Sequence, residues 1–366
     1  MKKILILFLL ILINFSILSS KILMAPYLSS IDSKTMSIYV LIESSDDKPI
    51  VVGYEGGNKV LYDTTSFTLQ TLASPKTYVH RILLSKLQPN TKYKYWVQNS
   101  DGSKSYEAYF KSPINDNSSF IFGIMGDCRT GKDIHNVIAK NIDNHEPKFL
   151  LYLGDLCYDG SYKAWKDEFF VPNELTLLSK APFVNAIGNH EKWGDNTQAF
   201  QQSPTANENK SYFDFDYGDI HFIVMDTEKN FSKGSEQYNF IKKSLETTLK
   251  KFKIVCSHIP GYTGGGAGHS ENKSMINITN ELFVPNKVDF VLSGHIHTYQ
   301  HNFVDGIHHL IIAGGGAPLY NSEDKPYTLK TVKKYNYAIA EYKNNTLKLK
   351  VYDDNNNLID SIEIKK

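Results

Sequence analysis

Five short apolar runs in the second half of the chain most constrain its fold. Each is too short for an ordinary helix and apolar enough for a strand buried on both faces. Polar turns and helical stretches separate the runs, a pattern typical of an α/β domain. The runs are Phe120–Met125, Phe149–Leu153, Phe183–Ile187, Phe252–Cys256 and Val288–Ser293.

Side chains able to bind metals follow each of these predicted strands. Taken singly, each has an ordinary explanation as a helix cap, a core tyrosine or a surface histidine. The carboxyl ends of such strands meet at one edge of an open α/β sheet, so we expect these side chains to converge. Oxygen and imidazole ligands without cysteine suit fairly hard ions, and their number suffices for two metals that share a carboxylate. They are Asp127, Asp155, Tyr158, Asn189, His190, His258, His295 and His297.

Residues 1–20 have the layout of a secretory signal peptide. Lys2 and Lys3 precede an apolar run, Ile4–Leu18, and two serines follow it. The alternative is an uncleaved membrane anchor, because the run nearly reaches spanning length. Cleavage predicts a secreted protein, or one of the lysosomal lumen, without membrane association. Export also gives meaning to the Asn-x-Ser/Thr sequons that follow, and predicts a glycoprotein.

Residues 21–113 read as short β-type runs separated by turns, which predicts a small antiparallel sandwich. The stretch Leu87–Tyr95 resembles part of fibronectin type III domains. A polar linker, Lys111–Ser119, leads into the predicted α/β domain, residues 119–366, whose alternating segment 337–364 is expected to complete a sheet. The predicted strands of the sandwich are Ser37–Ile42, Ile50–Tyr54, Thr68–Leu72, Tyr78–Leu84 and Lys92–Gln98.

Charge and cysteine content exclude several classes of protein. With 40 Lys and Arg against 39 Asp and Glu, the formal net charge of +1 gives no electrostatic reason to expect nucleic acid as a partner. Three cysteines are too few for a disulfide scaffold. Cys128, Cys157 and Cys256 lie within two residues of proposed ligands. We expect them to be buried packing residues, and a Cys128–Cys157 disulfide stays open.

Glycines flank the proposed ligands in a recognisable order: Gly126-Asp127, Gly154-Asp155-Leu-Cys-Tyr158, Gly188-Asn189-His190-Glu191, His258 and Gly294-His295-Ile-His297. This ordered set resembles that of the purple acid phosphatases within the calcineurin-like metallophosphoesterases. The resemblance implies an α/β (α+β) metallophosphoesterase sandwich of mixed sheets flanked by helices, preceded by an all-β fibronectin type III-like sandwich.

The resemblance also implies a role for each ligand. Tyr158 is the discriminating residue, because a phenolate is a strong donor to ferric iron. The centre would hold one Fe(III) and one divalent ion, zinc, iron or manganese, per subunit. The ferric ion would be bound by Asp127, Tyr158 and His297, the divalent ion by Asn189, His258 and His295, and Asp155 would bridge the two.

Four residues are expected to bind the substrate. His190 is similar to the family's histidine that contacts the phosphate and protonates the leaving oxygen, and Asn189 also faces the phosphate. His269, in a glycine-rich loop, falls near a further substrate histidine of the family. Arg129 stands where the family usually has glycine, and is either a phosphate ligand or a solvated loop residue. Gln300-His301 replaces the family's usual Glu-Arg.

The predicted activity is acid hydrolysis of small phosphate monoesters by a hydroxide held by the metal pair. A phosphodiesterase or pyrophosphatase on the same centre is the nearest alternative, and a non-catalytic adhesion protein is a more distant one. Oxygen-radical production by the iron pair is a further side activity to consider. The sequence predicts no oligomeric state and no physiological substrate.

Overall fold

A computed structural model describes residues 22–32, 36–70, 76–85, 87–99, 101–193 and 211–366. The predicted signal peptide lies outside the described residues, and so does the end of the predicted strand Thr68–Leu72. Within the described ranges, no helix has both the length and the apolar character needed to cross a bilayer.

The amino-terminal part consists of two antiparallel layers around a core of its own, which includes Val40, Val52 and Tyr95. Alternating side chains of the facing strands fill this core. One layer has the order β5-β6-β2-β1, with β1 Tyr27–Asp32, β2 Ser37–Ser44, β5 Phe67–Gln70 and β6 Tyr78–Leu84. The other has the order β4-β3-β7-β8, with β3 Val51–Gly56, β4 Lys59–Thr64, β7 Lys92–Gln98 and β8 Lys104–Lys111.

The first sheet of the α/β part is continuous with that amino-terminal layer. Strand β1 pairs in parallel with β11 through Ser29 and Phe183, and the result is one ten-stranded sheet. Its strands β9, β10 and β11 are parallel to one another, and β19 pairs antiparallel with β9. Their bounds are β9 Phe120–Met125, β10 Leu150–Tyr152, β11 Phe183–Asn185, β19 Asn336–Lys343, β20 Thr346–Asp353 and β21 Leu358–Lys365.

A second sheet of seven strands has the order β12-β13-β14-β15-β17-β16-β18. Strands β13, β14, β15 and β17 are parallel. The bounds are β12 Phe213–Tyr217, β13 Ile220–Val224, β14 Phe252–Ser257, β15 Phe290–Ser293, β16 Tyr299–Val304, β17 Ile307–Ile312 and β18 Thr328–Val332.

Few helices cover these sheets. In α1 the buried residues recur at helical spacing, His135, Ile138, Ala139 and Ile142, so one face packs on the sheet. In α4 the hydroxyl of Ser235 caps the helix by accepting the N–H of Tyr238. The bounds are α1 Lys132–Asp143, α2 Tyr162–Ala164 with a following π-helical turn Trp165–Phe169, α3 Pro172–Leu178, α4 Glu236–Thr247 and α5 Lys273–Ile278, continued by a π-helical turn Thr279–Phe283.

Aromatic side chains fill the space between the two sheets. The rings of Phe122 and Phe149 stack with centroids 4.9 Å apart, and Phe222 of the second sheet meets Phe122 edge-on at 5.4 Å. All three are fully buried. This packing fixes the two sheets face to face. The predicted class, mixed α/β sheets with helices outside and an all-β region before them, is confirmed.

A buried acid lies under the helical layer on the other face of the first sheet. The hydroxyl of Tyr152 donates to the Glu174 carboxyl. His135 Nε2 lies 3.5 Å from the same group and 3.1 Å from the carbonyl oxygen of Phe169. Burial raises the pKa of Glu174 to about 8 and lowers the pKa of His135 to about 4. Both groups are therefore neutral near pH 6.

Above pH 6.5, where the opposite contribution of His135 is complete, we expect Glu174 to make the folded state lose stability as the pH rises. Below the ordinary glutamate pKa of 4.5 its contribution is fully present, and it is lost as the pH passes the folded value of about 8. In that window the unfolded chain has released a proton that the folded chain keeps. Glu174→Gln should flatten the dependence of melting temperature on pH, measured by calorimetry.

Glu281→Gln is the matched control, because Glu281 accepts a hydrogen bond from Tyr238 at 2.8 Å but is partly exposed. The Glu281→Gln variant should show the same dependence of melting temperature on pH as the wild type. A wild-type slope in Glu174→Gln would contradict the account.

Candidate metal centre

The predicted ligands sit in tight turns at the strand ends. Asp127, Asp155 and His295 adopt positive φ angles of 59°, 54° and 72°. Residues other than glycine seldom adopt this left-handed region, and those that do concentrate at functional sites. The sharp turns aim the side chains back over the edge of the sheets.

Two glycines allow the ligands to approach one another. A Cβ atom at Gly188 would lie 2.1 Å from Asp155 Oδ1, and one at Gly154 would lie 2.7 Å from His258 Nδ1. Gly154 also has a φ of +88°. A side chain at either position would push a ligand out of place.

Four ligand atoms converge at His258. Its Nε2 lies 3.1 Å from Asn189 Oδ1, 3.2 Å from His295 Nδ1 and 3.3 Å from Asp155 Oδ1. Its Nδ1 donates to the carbonyl oxygen of Leu153 at 2.8 Å, which fixes the ring and aims Nε2 into the cluster. We call this group, Asp155, Asn189, His258 and His295, the His258 position.

The electrostatics of the His258 position fit a cation. Burial lowers the pKa of His295 to about 2, so its imidazole is neutral and offers a lone pair. Burial also opposes charge on His258, but the carboxylates of Asp155 and Asp127 outweigh it and raise the pKa of His258. The raised pKa of His258 shows that these carboxylates favour positive charge at this position. Such a site releases protons when it binds a metal.

A second group of ligands adjoins the first. His297 Nε2 lies 3.4 Å from Asp127 Oδ1, and both residues are buried. One ligand atom each of Asp127, Asp155 and His258 lies within 4.8 Å of the others. These separations place the two groups side by side, and a bridging role for Asp155 stays a prediction. We call Asp127, Asp155 and His297 the His297 position.

Tyr158 and His190 lie on the solvent-facing side of the two ligand groups, which we call the cleft. The Tyr158 side chain is 54% exposed, and its ring centroid is 5.3 Å from that of His190. His190 Nε2 lies 3.8 Å from Asp155 Oδ2, and its Nδ1 donates to the carbonyl oxygen of Tyr158. His190 is therefore held beside the ligands, and its contact with phosphate stays a prediction. Metal coordination by Tyr158 stays a prediction.

Arg129 and His269 also reach the centre. Arg129 Nε lies 3.3 Å from Asp155 Oδ2. The His269 ring lies 4.3 Å from that of His295, centroid to centroid. Gln300 holds the glycine-rich loop that carries His269, because its Oε1 accepts from Thr263 Oγ1 at 2.8 Å and from the Gly264 N–H at 3.2 Å. Gln300, which differs from the family's usual residue, thus anchors the glycine-rich loop.

Two further residues of the site, Tyr320 and Glu191, were not predicted from the sequence. Tyr320 stacks on His297 with ring centroids 4.1 Å apart, and the only signal for it was a Gly-Gly-Gly run that ends four residues before it. Glu191 is fully buried and accepts the backbone N–H groups of Asp155, Leu156 and Gly188. It ties two ligand loops together, and its place in the Gly-Asn-His-Glu motif was the signal for it.

The three cysteines are free and buried. Burial raises the pKa of each thiol. They therefore act as the packing residues that the sequence predicted, and the structure contains no Cys128–Cys157 disulfide.

Comparison with known proteins defines the class. Residues 122–299 match the family described as calcineurin-like phosphoesterase, and the chain therefore contains a calcineurin-like phosphoesterase domain. Within this class its relatives are purple acid phosphatases, as the sequence motifs indicated.

Two curated relatives show the extent of the likeness. The chain is 27% identical over 352 residues to probable inactive purple acid phosphatase 1 of Arabidopsis thaliana, covering 77% of this chain and 55% of that protein. It is 24% identical over 315 residues to phosphoenolpyruvate phosphatase of Allium cepa, covering 75% and 64%. The chain thus spans between half and two thirds of the length of these relatives.

Solved structures share the fold. Purple acid phosphatase PPD1 from yellow lupin (Lupinus luteus) superposes with a TM-score of 0.81 at 20% identity, over 93% of this chain and 74% of that one. A structure of PhoD superposes with a TM-score of 0.66 at 12% identity, over 92% of both chains. The fold is the mixed α/β metallophosphoesterase fold with a large all-β region at its amino-terminal end.

We expect Glu191→Gln to weaken metal binding about ten- to a hundredfold, the usual cost of losing a group that orients ligands. An amide has only one oxygen for three N–H donors, so the loops carrying Asp155 and Gly188 would separate. Titration of metal-depleted protein with zinc chloride, followed by calorimetry, measures the change.

Glu174→Gln is the matched control for this experiment, because Glu174 is equally buried but lies under the helical layer. It should bind zinc like the wild type. Unchanged zinc affinity in a folded Glu191→Gln variant would refute the positioning role.

Proposed function

We propose that this chain is a metal-dependent phosphomonoesterase that works at acid pH. One observation carries the proposal: three ligand atoms surround His258 Nε2, and ligand atoms of Asp127, Asp155 and His258 lie within 4.8 Å of one another. A purely adhesive protein has no use for such an arrangement. The names of some relatives mark them as inactive, so the ligand set of this chain is the relevant guide.

The donor sets support a different kind of cation at each position. The His258 position offers two imidazoles, an amide oxygen and a carboxylate, which suits a divalent ion. The His297 position offers carboxylates and an imidazole, and a ferric ion there would depend on Tyr158 as a further ligand. When bound, such a pair supplies Lewis acidity and strongly acidifies a water molecule.

Protein side chains would bind and orient the phosphate. Arg129 and His269 line the cleft over the two positions, and Arg129 can hold phosphate oxygens with a planar fork of donors. His190 stands beside Asp155 with its Nδ1 hydrogen bonded to backbone, so its Nε2 is the atom that would donate a proton to the leaving oxygen. Donation requires the imidazolium form, which acid pH favours.

The predicted localisation fits this proposal. An acid optimum suits a secreted or lysosomal enzyme, and the sequence of residues 1–20 supports export. Glycosylation at the sequons belongs to the same proposal.

We expect the purified protein to release phosphate from an aryl phosphate monoester near pH 5, and Asp155→Asn to reduce that rate by at least about a thousandfold. The amide cannot bridge two cations or hold His258 as a carboxylate does. Phosphate release is measured colorimetrically, and a parallel assay with an aryl diester tests the phosphodiesterase alternative.

Asp324→Asn changes an exposed carboxylate outside the site and serves as the control. Retained turnover in Asp155→Asn would refute the mechanism. Faster hydrolysis of the diester than of the monoester would replace the proposed activity with the alternative one.

A further inference from the structure

His297 has a single atom with which to bind a cation. Its Nδ1 lies 2.8 Å from the carbonyl oxygen of Pro318, which can only accept, so Nδ1 carries the proton and Nε2 carries the lone pair. Stacking on Tyr320 fixes the ring of His297, and the His297 side chain is 1% exposed. Any metal at the His297 position must therefore use Nε2.

Arg129 contacts the same atom, His297 Nε2. Its Nη2 lies 3.5 Å from His297 Nε2, and its Nε lies 3.3 Å from Asp155 Oδ2. Both contacts involve the donors of a group that stays charged at all relevant pH values. The guanidinium also contacts the hydroxyl of Tyr320, and its side chain is only 12% exposed.

The backbone holds Arg129 in this place. Its N–H donates to the carbonyl oxygen of Asp155 at 3.2 Å, so the residue begins directly beside the bridging carboxylate. Around His258 Nε2, by contrast, the neighbours are an amide, a carboxylate and an imidazole. The guanidinium thus contacts the imidazole of His297 and the carboxylate of Asp155 that the two positions share.

We propose that Arg129 is an internal cation that competes with metal for the His297 position, so that the chain binds one divalent cation tightly at the His258 position and a second one weakly. This inference rests on the proposed function, because it takes both positions as metal sites. One lone pair on His297 cannot serve the guanidinium and a metal together. Repulsion between a metal ion and a guanidinium in a buried site adds to the cost.

The proposal explains the departure of the sequence from the family pattern. The glycine usually found at this place has no side chain and leaves His297 Nε2 free. When a second metal enters, Arg129 must leave His297 and turn toward the open cleft, where it is available to an anionic substrate. Phosphate should therefore favour binding of the second metal.

The test is a calorimetric titration of metal-depleted protein with zinc chloride, with and without inorganic phosphate. Wild type should show two steps, with the second cation bound at least about tenfold more weakly than the first. Arg129→Gly should bring the two steps together at high affinity. Arg129→Lys, which keeps the charge, should keep a weaker second step, and phosphate should strengthen that step in wild type.

Two equal high-affinity sites in wild type, unchanged in Arg129→Gly, would overturn the inference while leaving the proposed function in place. If neither protein binds zinc, the inference and the proposed function both fail. The wild-type titration decides the question by itself if Arg129→Gly does not fold.

Discussion

The site depends on the different partners of the two carboxylate oxygens of Asp155. Oδ1 accepts the N–H of His190 at 3.1 Å and faces His258 at 3.3 Å, whereas Oδ2 faces Arg129. Burial disfavours the charged form, but His258 and His190 outweigh it and lower the pKa of Asp155. A buried carboxylate that stays ionised needs cations around it. The surrounding histidines, Arg129 and any bound metal all supply positive charge that stabilises the ionised carboxylate of Asp155.

The two-sheet core sets the positions of the ligands. Asp127 and Asp155 follow parallel strands of the first sheet, whereas His258 and His295 follow parallel strands of the second. The aromatic layer between the sheets holds their ends at a fixed separation. Substitutions in that layer, such as at Phe149, would therefore disturb the metal geometry as well as stability.

Much of this arrangement follows from the sequence. Buried parallel strands are recognisable as short apolar runs, and their carboxyl ends lie at the same edge of a sheet. The run Phe120–Met125 matches strand β9 residue for residue. The pairing of β1 with β11 could not be predicted, since it joins strands far apart in the chain. Tyr320 was missed for a related reason: its contact with His297 arises from tertiary packing, and its own neighbours in sequence carry no periodic pattern.

The roles of individual ligands were harder to predict than their convergence. Arg129 read equally well as a solvated loop residue, and only the structure places its guanidinium against Asp155 and His297. In the sequence, Glu191 was only the last residue of a motif. In the structure its carboxylate accepts backbone N–H groups from two ligand loops and so holds the loops together.

The central claim is that the His258 position is a metal site. Anomalous diffraction from crystals soaked in zinc chloride and recorded at the zinc absorption edge tests it most directly. The account predicts a strong peak within bonding distance of His258 Nε2, His295 Nδ1, Asn189 Oδ1 and Asp155. An anomalous map without a peak at this position, from crystals that bind zinc elsewhere, would contradict it.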